Sequence, residues 1–414
     1  MVVNQLKAGA VLNYVVIGLN SLVGLLYTPY MLRMMGQSEY GLYSLVASVI
    51  AYLTIMDFGF GNAIIRYTAK FRAEGRQQEQ YAMFGMFLIL YSVIGILAFG
   101  AGLGLYFNVE ALFGDTMTVV EVERAKVLMI ILIFNLAVTF PLSIFGAVVT
   151  AYEDFIFQKV VQIVRILLNT VVMICLLKMG YRAVAMVVVQ TLFNLVTLLL
   201  NYYYCRRKIG IRIVFGRFRW GFLREVTVYS FWIFLNAIMD RIYWGTGQFV
   251  LGATVGTAAV AVFAVAIYLK DMYYSFSTSI SGVFLPKVTA MITTGASEQT
   301  VSDLFIRIGR IQYIVLAYVL SAFILLGRPF IALWAGEGYD ETYVIALMFF
   351  ASTLIPMIQN LGITILQARN EMKYRSILIL AVSAASLAAA IPAARQFGAF
   401  GVAAVTSVAV VLGH

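Results

Sequence analysis

The feature that most limits the fold of this chain is a series of twelve apolar runs. They lie at 9–32, 41–64, 81–107, 125–151, 155–177, 181–204, 226–251, 256–285, 311–334, 343–367, 374–394 and 397–412. A helix needs about 20 predominantly apolar residues to cross a bilayer, and most of these runs have that length. Hydrocarbon holds no water to satisfy a backbone amide, so each crossing must be a helix or a strand of a closed barrel. Barrel strands would show as short alternating segments, and the sequence has none. Composition removes the soluble alternative. The chain is 62% hydrophobic and 12% charged, with a mean hydropathy of +0.93, against roughly 25% charged residues in a soluble domain. The sequence predicts an all-α polytopic membrane protein with about 12 transmembrane helices.

Basic residues set the orientation. With the N-terminus inside, and span-end residues counted with the side they adjoin, cytoplasmic segments hold 19 of the 29 Lys and Arg. External segments hold 7, and 3 fall within spans. The positive-inside rule then puts both ends in the cytoplasm. The heaviest contribution is CRRKIGIRIVFGRFRWGFLR at 205–224, followed by RYTAKFRAEGR at 66–76. Such segments also suit anionic lipid headgroups, and the formal charge of +10 requires no nucleic acid. The first span follows only Lys7 and has no small-residue cleavage site, so it reads as a retained helix and not a signal peptide.

Little in the sequence suggests catalysis. The only histidine is His414, and the two cysteines, Cys175 and Cys205, are expected to stay unpaired. Metal-binding, phosphate-loop and nucleophile-elbow motifs are missing from the sequence. The expectation is a protein that is not an enzyme and holds no metal.

The chain repeats itself at a separation of 216 residues. Residues 17–53 align without gaps to 233–269, pairing Asn20 with Asn236, Tyr27 with Tyr243, Gly36 with Gly252 and Tyr52 with Tyr268. Pro141 pairs with Pro356 at nearly the same offset, and Gly180 with Gly398 at 218. Each copy has six spans, so the copies share one orientation, as in transporters built from parallel repeats. The predicted organisation is an N-lobe at 1–204, a basic cytoplasmic loop at 205–225 and a C-lobe at 226–414, around a central cavity. By the repeat register the last span would run about eight residues past His414.

Several spans carry polar residues at helical spacing. Span 5 has Gln158, Gln162, Arg165 and Asn169; span 6 has Gln190, Asn194, Thr197 and Asn201. Span 7 has Asn236, Asp240, Tyr243 and Gly247; span 8 has Lys270, Tyr274, Ser277 and Ser281 beside Asp271. These faces must look at other helices or at water. Read as glue, they hold helices together, and the six intramembrane charges sum to zero. Read as a lining, they form an aqueous cavity with Arg165, Arg241 and Lys270 as its cations. Asp57, Asp240 and Asp271 are then charge partners or ion-coupling sites, and Asn20, Asn169, Asn194 and Asn236 are further polar contacts. Pro29, Pro141, Pro356 and Pro392 fall inside spans, where each removes a backbone bond and favours a kink.

The segment GQSEYGLYSLVASVIAYLTIMDFGFGNAIIRYTAKFRAEG at 36–75 resembles the polysaccharide-transport family of the multidrug/oligosaccharidyl-lipid/polysaccharide exporter superfamily. Gly36, Tyr40, Gly41, Asp57, Gly59, Gly61 and Arg66 carry the resemblance. It implies a flippase of the bacterial cytoplasmic membrane that moves undecaprenyl-pyrophosphate-linked oligosaccharide by alternating access, for O-antigen or other surface polysaccharide. The same resemblance implies lipid-linked oligosaccharide and membrane lipids as partners, with other polysaccharide-assembly proteins beside them. It implies no cofactor, with Na+ or H+ as candidate coupling ions. Arginine suits bidentate phosphate contacts and lysine acts as a point charge, so the three cations are expected at the pyrophosphate. Asp57 is expected to be mainly structural. A drug/cation antiporter of the same superfamily is the alternative, and a membrane-bound glycan ligase or polymerase is a third reading.

Overall fold

Every long apolar run folds as a helix in the computed structural model, which describes residues 5–216, 220–293, 297–369 and 373–413. In chain order the helices are α1 (Gln5–Met35), α2 (Gln37–Leu53), a 3-10 turn (Thr54–Asp57), α3 (Phe60–Ala73), α4 (Gln77–Phe107), the short α5 (Val109–Phe113), α6 (Val119–Ala151), α7 (Phe155–Lys178) and α8 (Ala183–Tyr204). A π turn (Cys205–Ile209) precedes α9 (Trp220–Thr254), α10 (Thr257–Thr293), α11 (Glu298–Trp334), α12 (Asp340–Ile358), α13 (Asn360–Arg369) and α14 (Lys373–Gly413). Among the described residues ten spans are long and apolar enough to cross a membrane. Helix α9 covers the seventh expected run. A non-helical residue, Gly398, divides α14 into two helices, which cover the eleventh and twelfth expected runs.

The chain forms two units. One comprises Met1–Glu39 and Val46–Ile238, the other Tyr40–Leu45 and Met239–His414. In the N-terminal unit α6 is the central helix, with α3, α4 and α8 against it, while α1 lies along α7. Helix α6 starts at a capping box, in which Thr118 Oγ1 accepts from the Glu121 amide and the Glu121 carboxylate accepts from the Thr118 amide. Midway, Pro141 cannot donate to the Ala137 carbonyl four residues earlier. Gly95 of α4 comes against that freed carbonyl so closely that an added Cβ would lie 2.6 Å from the oxygen. The core beneath includes Ile64, Phe87, Tyr91, Val148 and Cys205, all fully buried. Cys175 and Cys205 are both free thiols.

In the C-terminal unit α12 takes the central place, with α10, α11 and α14 against it. Polar bonds tie these helices. Ser277 Oγ donates to the Met357 carbonyl at 2.7 Å, and the buried Gln312 amide donates to both Ser277 O and Oγ. Asn360 Nδ2 donates to Ser281 Oγ at 2.9 Å. Tyr273 stacks on Phe350 with ring centres 4.4 Å apart. Trp334 is buried between Tyr268 and Phe330.

The two copies agree at one bend and differ at others. Gly180 follows α7 with φ +85, and Gly398 bends α14 with φ +57. An added Cβ would meet nothing within 4 Å at either position, so the requirement is the left-handed backbone alone. By contrast, the run expected at 41–64 is broken by the 3-10 turn and by Phe58 and Gly59, both at positive φ. The aligned residues of the second copy, Lys270–Tyr273 onward, lie inside the unbroken α10. The run expected at 343–367 ends at Ile358, two residues after Pro356, and resumes as α13.

Candidate functional site

Five helices of the N-terminal unit converge on a polar cavity of about 610 Å3. Helix α7 contributes Gln162, Arg165 and Asn169, and α8 contributes Gln190 and Asn194, in each case along one helical face. Helix α6 adds Asn135 and Thr139, α1 adds Asn20, and Thr54 of the 3-10 turn joins them. Ala47, Ile50, Ala51, Leu132, Leu136 and Ile166 supply the apolar part of the lining. Asn194 is fixed by donating from Nδ2 to Asn135 Oδ1 and to Thr139 Oγ1, both at 2.8 Å. Thr139 in turn donates to the Asn135 carbonyl at 2.7 Å. The buried Asn169 Oδ1 has no hydrogen-bond partner among the described residues.

Among the described residues Arg165 carries the only charge in this lining. It sits near the middle of α7 and makes no ion pair among the described residues. A guanidinium at bilayer depth costs roughly 3 kcal/mol unless water or a counter-charge reaches it, and a polar cavity gives access to both. Of the three acids expected as charge partners, Asp57 and Asp271 have partners outside this cavity. Tyr91 Oη donates to Asp57 Oδ1 at 2.6 Å, and the backbone amides of Gly61 and Gly59 also donate to the Asp57 carboxylate. Asp57 therefore holds the break before α3, where a carboxylate also complements a helix N-terminus.

Lys270 lies in the other unit. Its Nζ is 2.5 Å from Asp271 Oδ1 and 3.6 Å from the Trp244 ring centre. The Lys270 side chain is 5% exposed and that of Asp271 62%, so the pair is half buried and half open. Trp244 packs edge-on against Phe349. Arg241 is exposed on α9. The side chains of Asn236 and Asp240 lie outside the described residues.

The polar stripes thus divide. Gln162, Arg165, Asn169, Gln190 and Asn194 line the cavity with Asn20. Gln158 is glue, donating to Gly146 O and Thr150 Oγ1 across to α6, and Thr197 bonds back to Phe193 O in its own helix. Tyr243 donates to Ala409 O, and Ser277 and Ser281 join α10 to its neighbours. Asn135 and Thr139 were not anticipated, although two polar residues four apart within the apolar α6 are the same kind of signal as the stripes on α7 and α8.

Comparison with known proteins agrees with this architecture. Residues 6–292, more than half of the chain, match the family described as polysaccharide biosynthesis protein. The uncharacterized membrane protein EpsK of Bacillus subtilis (strain 168) is 19% identical over 394 residues, covering 93% of this chain and 76% of EpsK. An inward-facing structure of a multidrug resistance MATE family transporter of the MOP superfamily superposes with a TM-score of 0.75 at 15% identity, over 94% of this chain and 95% of that one. The lipid II flippase MurJ, in an inward closed conformation, superposes with a TM-score of 0.73 at 16% identity, over 97% of this chain and 86% of that one. At these identities the two structures show a shared fold. The chain is a multi-span helical membrane protein with the fold of these transporters, and it belongs to the polysaccharide biosynthesis protein family.

Proposed function

We propose that this protein is a flippase that carries undecaprenyl-pyrophosphate-linked oligosaccharide across the bacterial cytoplasmic membrane by alternating access. The observation that carries the reading is the cavity of the N-terminal unit, a carboxamide-rich space with one guanidinium inside a lipid-embedded helix bundle. Such a space suits a hydroxyl-rich, anionic head whose polyprenyl tail stays in lipid. Family membership supports the polysaccharide context. In this reading Lys270 and Arg241 contact the pyrophosphate, and an Na+ or H+ gradient drives the cycle. The N-terminus is cytoplasmic, and other polysaccharide-assembly proteins supply and receive the glycan.

The test is translocation of a labelled lipid-linked oligosaccharide head in reconstituted vesicles. Protein-dependent transfer is expected, and failure to move any lipid-linked glycan at saturating protein would overturn the reading. The fold shared with a multidrug transporter keeps a drug/cation antiporter as the competing reading. Among its described lining residues, however, the cavity holds a cation and no carboxylate, which disfavours a cationic drug there. Efflux of a fluorescent cation, lost in Asp240→Asn, would favour the antiporter.

A further inference from the structure

We propose that the cavity of the N-terminal unit is a subsite for one sugar residue bearing a single negative charge, read separately from the diphosphate of the lipid. The inference rests on the flippase reading and refines its substrate class.

Four observations support it. First, Asn20, Asn135, Gln162, Asn169, Gln190 and Asn194 all face this space. A carboxamide offers both a donor and an acceptor, as a sugar hydroxyl does, whereas an ionised phosphate only accepts. Second, Asn169 Oδ1 is a buried acceptor without a partner among the described residues. A turn of the Asn169 side chain toward the cavity would let a sugar hydroxyl donate to it, which an ionised diphosphate cannot do. Leaving such a group unmet is costly. Third, Arg165 is the only charge in the lining and has no carboxylate partner among the described residues. One monoanionic group, such as a uronate carboxylate, would neutralise it bidentately. A diphosphate would bring excess negative charge into a site with one cation. Fourth, Ile50, Leu132 and Ile166 supply an apolar surface for the C–H face of a ring, and the volume of about 610 Å3 falls within the small-ligand range of roughly 300–1,000 Å3.

Asn194 is preorganised for this role. Both of its amide hydrogens are taken by Asn135 Oδ1 and Thr139 Oγ1, which presents its own Oδ1 as an acceptor with little freedom left to lose on binding.

Saturation-transfer NMR on the full chain in zwitterionic nanodiscs tests the proposal with glucuronate, glucose and inorganic pyrophosphate as probes. Glucuronate should bind about tenfold more tightly than glucose, the effect of one charge-assisted contact. Arg165→Gln should erase that preference while leaving the glucose signal, and Arg165→Lys should retain part of it. Glucose and glucuronate binding equally to the wild type would overturn the proposal, as would absence of any sugar signal. Displacement of glucuronate by pyrophosphate at equal concentration would assign the site to phosphate and overturn it too. Head translocation in vesicles is scored separately. A charge-selective sugar signal without any flipping would refute the flippase and leave the subsite standing.

Discussion

The Lys270 ammonium lies 3.6 Å from the centre of the Trp244 indole ring and 2.5 Å from Asp271 Oδ1. A cation held over a desolvated indole gains about 2 kcal/mol, and here the carboxylate meets the same ammonium from an open side. Lys270→Met keeps apolar bulk on the ring and removes the charge. Asp271 is 62% exposed, so removing Lys270 leaves no buried unpaired charge, the condition under which breaking an ion pair is strongly destabilising. The variant should therefore insert and melt within a few degrees of the wild type, while flux of lipid-linked glycan falls. Unchanged flux would give Lys270 a packing role only.

The bond from Tyr91 to Asp57 should be worth more than a surface contact. A hydrogen bond to a charged group contributes roughly 1.5–3 kcal/mol, and Tyr91 is fully buried. Tyr91→Phe should lower stability by that amount in detergent unfolding. A loss below about 0.5 kcal/mol would show that the amides of Gly59 and Gly61 hold Asp57 unaided.

Gly398 has φ +57 and ψ −140, a region that is nearly glycine-only and costs other residues of order 1–3 kcal/mol. Gly398→Ala should destabilise by about that much although nothing crowds the added methyl. Gly18, in α1, is equally uncrowded and has no positive φ, so Gly18→Ala serves as a control that should hold or raise stability. Equal melting temperatures for the two variants would contradict the backbone argument.

Orientation can be read with one introduced thiol. Lys208 is exposed in the basic segment after α8, and Cys205 is buried. With Cys175 replaced by Ala, Lys208→Cys should react with an impermeant maleimide in inverted vesicles and not in intact cells. The opposite pattern would place the N-terminus outside.

Much of this was legible from the residues. Apolar length fixes helices because lipid permits little else, and the i, i+4, i+7 stripe on span 5 marked the cavity face of α7. Which stripe members face the cavity was not legible, because that depends on what the neighbouring helix presents. Gln158 finds the Gly146 carbonyl of α6, while Arg165, two turns on, finds open space. The break at Phe58 and Gly59 was hidden for a similar reason, since the donor to Asp57 arrives from Tyr91 on α4. A sum over the charges of six span residues could not show that Asp57 is spent on a helix start.

The bends also show what the two halves share and where they part. Gly180 and Gly398 occupy the same place in both copies, and both have positive φ. A bend present in both halves is inherited from the single ancestral half that was duplicated. The break after Asp57 and the interruption after Pro356 each occur in one half only, so the halves differ there. The cavity with Arg165 stands beside the first of these differences, through Thr54 of the 3-10 turn. Its lining is thus bounded by a feature that one half has and the other lacks.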